Sequence, residues 1–173
     1  MATDMDQPLF SDAPAPEAST PSTPPPDRVV TTTVPADQTT AFEGFTEYLH
    51  LWWPHEHTNF GDESHPYFSE TEIAEESEDG ATQVWANIDD FTPPELIQLA
   101  WTLGANPESP TEVVIEFEPA DGATTATTVT LTHRGWAPGS EGWDQYRKYS
   151  DWPHILGAYA HFMGASPAPA PVD

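Results

Sequence analysis

Apolar and polar positions alternate most cleanly between residues 111 and 134. In TEVVIEFE, residues 111–118, Val113, Ile115 and Phe117 point one way and Glu112, Glu116 and Glu118 the other, with Val114 breaking the polar set. Residues 125–134 keep the same period, Val129, Leu131 and His133 opposing Thr128, Thr130 and Thr132. Period two is that of a half-buried strand. Both stretches are therefore predicted as strands, with Asp121-Gly122 between them as a hairpin signal. Residues 95–103 set Ile97, Leu99, Trp101 and Leu103 on one face, and residues 81–90 set Val84, Ala86 and Ile88 against Gln83, Trp85 and Asn87. Pro93-Pro94 breaks the chain between these two. Residues 68–76 are a further candidate strand, whose acids place it at an edge or in solvent, and the β-branched run VVTTTV at 29–34 is a first strand that stops at Pro35.

Two stretches carry helical spacing instead. Asp37 can cap a helix by accepting from the free N–H groups of its first turn, and Phe42, Phe45, Leu49 and Trp52 then form one apolar stripe that Pro54 ends. Gly44 inside it costs ~1 kcal/mol relative to Ala, which points to close packing there or to a weak middle. Residues 55–67 read as irregular. The last helix starts after Asp151 as N-cap, with Pro153 tolerated in the first turn. Trp152, Leu156, Tyr159 and Met163 line one face with Ile155 and Phe162 beside it, and Gly164 terminates it. The order is strand, helix, a run of antiparallel strands, then a long helix. A curved antiparallel sheet wrapped around the C-terminal helix buries all these faces together, so the predicted class is α+β.

Composition sets the limits of the folded part. The chain has 173 residues, a length suited to one domain. Residues 1–27 hold seven prolines and few large apolar side chains (Met5, Leu9, Phe10), and residues 165–173 read ASPAPAPVD. Such stretches cannot bury enough surface to offset their ordering entropy. They are predicted as disordered tails around a domain at 28–164. The 29 Asp and Glu against four Lys and Arg give a formal charge of −25. That surface is repelled by nucleic acid, which carries one charge per ~1.7 Å of duplex, and by anionic membranes. It fits solubility, or a host with high internal salt, where the Debye length falls to ~3 Å at about 1 M. No apolar run reaches the roughly 18 residues of a membrane span. The first ten residues carry acids where a signal peptide needs Lys or Arg, so a cytoplasmic protein is expected. Cysteine is absent, which excludes disulfides, thiolate catalysis and Cys-based zinc sites.

Several phrases of the sequence occur in a recognisable order. They are VPADQTTAFEGFT at 34–46, Trp52-Trp53-Pro54, VWANIDDFTPPELIQLAW at 84–101, TEVVIEFEP at 111–119, VTLTHRGW at 129–136 and a GW…YR..Y..W pattern at 142–152. In order and spacing the chain resembles the SRPBCC (START-like) superfamily, in particular bacterial homologues of the C-terminal domain of activators of the ninety-kilodalton heat-shock protein ATPase. It departs from that pattern at SHPYFSETEI, where a glycine pair is usual, at Ala86 in place of Gly, and at ATTATT before the VTLTH strand. The resemblance implies a helix-grip fold with a cavity between sheet and terminal helix, lined by apolar and aromatic groups. Trp52, Trp101, Phe117, Trp136 and Tyr159 are the candidates for its wall. His133 shares the face of Val129 and Leu131, so its imidazole points inward, either to meet a ligand or to act as a base, or else to bond a backbone carbonyl as a core residue.

No G-x-S-x-G motif is present, the acids mostly occupy polar faces, and no catalytic residue is assigned. His50, His55, His57 and His65, near Asp62 and Glu63, match neither H-E-x-x-H nor a structural zinc pattern, and His154 and His161 sit seven apart on a helix. These read as loop and surface groups, so neither metal nor cofactor is expected. Gly135 and Gly139 give a turn its backbone freedom. Three functions follow for testing. The first is a binding module for a small apolar or amphipathic molecule. The second is a protein-interaction module presenting the sheet or the loops of Trp52, Trp53 and Trp143. The third is a cyclase- or hydrolase-like enzyme with His133 in the cavity.

Overall fold

The strands are β1 (Arg28–Val34), β2 (His65–Phe68), β3 (Glu72–Glu76), β4 (Thr82–Thr92), β5 (Leu96–Trp101), β6 (Thr111–Pro119) and β7 (Thr127–Arg134). In the computed structural model, which describes residues 23–103, 108–120 and 125–165, they form one antiparallel sheet in the order β1-β7-β6-β5-β4-β3-β2. The chain lays β1 at one edge, crosses to the other and meanders back until β7 pairs with β1, Arg28 opposite His133 and Val34 opposite Thr127. Four α-helices lie among the described residues: α1 (Gln38–Thr46), α2 (Leu49–Trp52), α3 (Ser140–Lys148) and α4 (Trp152–Phe162). The expected Asp121-Gly122 turn lies outside the described residues, as do the tail assignments except for residues 23–27 and 165.

Alternation decides which side chains meet the helices. Ile97, Leu99 and Trp101 of β5, Val113, Ile115 and Phe117 of β6, and Val129, Leu131 and His133 of β7 are buried, while the glutamates and threonines between them face outward. Trp152, Ile155, Leu156, Tyr159 and Ala160 of α4 close the other side. This is the α+β helix-grip arrangement. Asp37 caps α1 as expected, its carboxylate accepting from the Thr40 N–H at 2.8 Å. The predicted single helix over 38–52 is broken after Thr46, so that the Trp52 indole folds back on the Gly44 carbonyl at 3.1 Å. Gly44 packs closely against the Met163 side chain: a Cβ there would lie 2.3 Å from its sulfur, so the methionine would have to move.

The sheet corrects two expectations. Ile73 pairs with Ala86 and Ala74 with Val84, which leaves Trp85 as the extra residue of a β-bulge. A bulge re-aims its side chain, and Trp85, assigned with the polar face of its strand, is fully buried. Nor is β3 an exposed edge. It lies between β2 and β4, with Ile73, Ala74 and Glu75 all buried. The acid is accepted there because its carboxylate takes hydrogen bonds from the Asn59 N–H (2.7 Å), the Phe60 N–H (3.2 Å), the Trp85 indole (2.7 Å) and the Ser64 hydroxyl. A buried polar group is tolerated when so satisfied.

The closing segment also differs. Helix α3 was not expected, because among its nine residues only Gly142 is buried and no apolar stripe announces it. Asp151 occupies the N-cap position of α4 but makes no side-chain cap bond; its carboxylate meets His57 Nε2 at 2.8 Å instead. Phe162 turns partly to solvent.

Replacing Glu75 tests the four-donor arrangement. Glu75→Ala strands four donors in the interior and is expected to cost at least about 3 kcal/mol, read as a lower midpoint in urea unfolding with an unchanged slope. Glu75→Gln, which keeps the volume but offers one accepting oxygen, should fall between the two.

Candidate functional site: a closed aromatic interior

Where sheet and helices meet there is a void of about 10 Å³, bounded by apolar side chains alone, among them Trp53, Trp85, Trp101, Trp152, Leu99 and Leu131. That volume is near the smallest that admits one water, and water would find no polar partner on such walls. The four indoles are oriented by their N–H groups. Trp53 donates to the His57 carbonyl (3.1 Å), Trp85 to Glu75 (2.7 Å), Trp101 to the Tyr149 hydroxyl (2.8 Å) and Trp152 to His133 Nδ1 (3.0 Å). Each ring is thereby pinned by its polar end, and its hydrocarbon faces the interior.

All six side chains singled out from sequence are buried, but they divide among three groups. Trp101 lines the void. Trp52, Phe117 and Tyr159 surround Phe45, with ring centroids at 5.0, 5.7 and 5.1 Å. The Tyr159 hydroxyl donates to the Ala41 carbonyl at 2.7 Å and so ties α4 to α1. His133 and Trp136 stack at 4.1 Å, with Tyr149 against the imidazole at 4.7 Å. Five further rings line the void, Phe45, Trp53, Phe68, Trp85 and Trp152, none of them a wall candidate from sequence. Trp85 is turned inward by a bulge that alternation does not reveal, Trp152 lies on a helical stripe that marks burial without marking a cavity, and Trp53 falls just past the stripe that ends at Trp52.

His133 shows what chemistry the interior allows. The Trp152 indole can only donate, so Nδ1 of His133 accepts and the imidazole proton sits on Nε2. From there it is donated to the Thr111 hydroxyl at 2.7 Å, which in turn approaches the Trp101 carbonyl at 3.5 Å. Both ring nitrogens are occupied, and no lone pair is left to take a proton from a substrate in this arrangement. Burial, and secondarily the positive charge of Arg28, pushes its pKa down to about 3. Burial raises the Tyr149 and Tyr159 phenols well above the usual range. Among the described residues, Trp136 Nε1 is the one buried side-chain nitrogen or oxygen without a hydrogen-bond partner.

The surface histidines join loop to helix. His57 meets Asp151, and His154 meets Glu56 at 3.5 Å. His50 stacks on His65 at 4.5 Å, and partial burial together with that neighbour lowers its pKa. Among the described residues no group of three or more His, Cys, Asp or Glu is placed to hold a metal. No described helix is long and apolar enough to cross a membrane.

The neutral imidazole makes a pH prediction. The unfolded chain protonates His133 near pH 6.5, whereas the folded one resists until about pH 3. Stability from this residue is therefore complete above pH 6.5 and declines as pH falls through that window, by roughly 2 to 3 kcal/mol between pH 6.5 and 4.5. Urea titrations across that range should show this loss, and His133→Gln should flatten it.

Three solved structures show the same fold. CalC, a self-sacrificing resistance protein from Micromonospora echinospora, is 24% identical, with 80% of this chain and 94% of that one covered and a TM-score of 0.56. An HSP90 activator from Plasmodium falciparum is 17% identical over 81% of this chain and 97% of that one, with a TM-score of 0.57. The anthrahydroquino-gamma-pyrone synthase Txn09 is 21% identical over 80% and 97%, with a TM-score of 0.52. No curated sequence matches the chain. Residues 35–158 match the family described as Activator of Hsp90 ATPase homolog 1-like protein, a span running from the end of β1 into α4. With the sheet, the closing helix and this match in agreement, the chain belongs to the Activator of Hsp90 ATPase homolog 1-like family, of SRPBCC type.

Proposed function

We propose that the domain is a non-catalytic binding module for a small apolar or aromatic molecule, held between the sheet and the closing helices. The observation that carries this is the void at Trp53, Trp85, Trp101 and Trp152, whose walls present no polar atom. A drug-sized ligand needs about 300 Å³ or more. The closed interior must therefore enlarge, and the binding energy is reduced by the cost of parting those rings. Small, flat molecules are favoured over long lipids. The committed hydrogen bonds of His133 favour binding over acid–base chemistry.

A second reading is favoured by a different observation. Tyr48, Leu51 and Phe162 are exposed, and the Tyr48 and Phe162 rings lie 6.2 Å apart where α2 meets the end of α4. An apolar surface patch of this kind suits a protein partner, and an HSP90 activator is among the structural neighbours.

Thermal-shift measurements with small aromatic molecules distinguish the two. Ligand at 100 times its Kd stabilises by about 2.7 kcal/mol, a rise of several degrees in Tm. Leu131→Ala widens the void at a cost of about 2 to 5 kcal/mol and is expected to tighten binding of the smallest ligands. Should no aromatic molecule raise Tm in either protein, and purified heat-shock ATPase be stimulated in a manner lost in Leu51→Ser, the second reading would replace the first.

A further inference from the structure

Helix α3 is held by the start of the folded chain. The Trp143 indole donates to the Thr23 carbonyl at 3.3 Å. Five residues on, the Arg28 guanidinium lies 3.6 Å over the Tyr146 ring and its Nε donates to the Tyr146 carbonyl at 2.9 Å. Between these two attachments run Pro24, Pro25 and Pro26, and Pro25 is buried while the residues on either side of it are exposed. Trp143 and Tyr146 are three apart on α3, with rings 5.5 Å apart at 71°. Tyr146 then meets Trp136 edge-on at 5.5 Å, and Trp136 covers His133.

A proline triplet beside an indole donor and a phenol ring has the ingredients of polyproline recognition. A Pro triplet has its φ angles fixed, and each residue before a proline is driven to extended backbone, so the segment is stiff before it docks. Its carbonyls have no internal partners, and an aromatic groove with indole donors reads them. Helix α3 needs such a clamp. Only Gly142 of its nine residues is buried, held so tightly that a Cβ would fall 1.6 Å from the Ala137 carbonyl oxygen.

We propose that the Trp143–Tyr146 face of α3 is a recognition site for a proline-rich segment, filled in cis by residues 23–27, which strap α3 down over Trp136 and His133. Releasing the strap frees α3 and leaves the sheet in place. The site then accepts a proline-rich segment supplied in trans. This stands on the α3 contacts alone and holds whether or not the interior takes a ligand.

Hydrogen exchange on the full-length chain tests it. In Pro24→Ser/Pro25→Ser/Pro26→Ser, amides of α3 are expected to exchange about tenfold faster or more, with those of β6 and β7 unchanged. A synthetic peptide of residues 19–27 should restore the protection, and the same peptide with serine at the three prolines should not. Trp143→Phe, which keeps a ring but loses the indole donor, should give a smaller increase confined to α3 and serves if the triple variant does not fold. Unchanged α3 exchange in both variants, a parallel rise in the sheet, or equal protection by the serine peptide would each overturn the proposal.

Discussion

A carboxylate taken out of water is costly unless its oxygens are fully occupied. Glu75 meets that condition with donors from the 59–64 loop and from Trp85. Because those donors come from separate segments, one side chain fixes the irregular loop against the sheet, holds the bulge of β4 in place and sets the angle of an indole that bounds the interior. Trp53, packed on Trp85 at 4.9 Å, inherits that position. The geometry of the void therefore begins at an acid that is itself no part of its lining.

The central sheet was legible in the sequence because its inner and outer faces alternate, Val114 apart: Ile97, Leu99, Phe117 and Leu131 point inward as alternation requires. The stripe of α4 was legible for the same reason at helical spacing. What alternation could not carry were events that break it. Trp85 sits at a bulge, and the bulge moves it across the sheet. Glu75 is an acid in a run of acids, and nothing local distinguishes the one whose donors arrive from ten to sixteen residues away. Helix α3 has too little apolar surface to be seen at all. For the candidate site, burial of His133, Trp101, Trp136 and the rest followed from pattern. Their division into three clusters, and the bonding that commits both imidazole nitrogens, depends on long-range contacts.

The fold hosts proteins as different as an HSP90 activator and a synthase, so function has to be argued from the interior and the surface of this chain rather than from its topology. The interior is apolar, closed and internally bonded. Helix α3, which does not line it, has few buried contacts and meets the segment at residues 23–28. Acids of β6 line the outer face of the sheet, where Glu112 pairs with Arg134 and with Gln98.

The indoles of the interior touch one another in sequence: Trp52 to Trp53 at 5.6 Å, Trp53 to Trp85 at 4.9 Å, and Trp101 to Trp152 at 5.6 Å, with Trp85 and Trp101 6.4 Å apart. At such separations their electronic transitions couple, so light absorbed by one ring is shared among all of them. The protein thus carries its own optical gauge: any rearrangement of its centre must register in near-ultraviolet dichroism and in emission, without a dye or label.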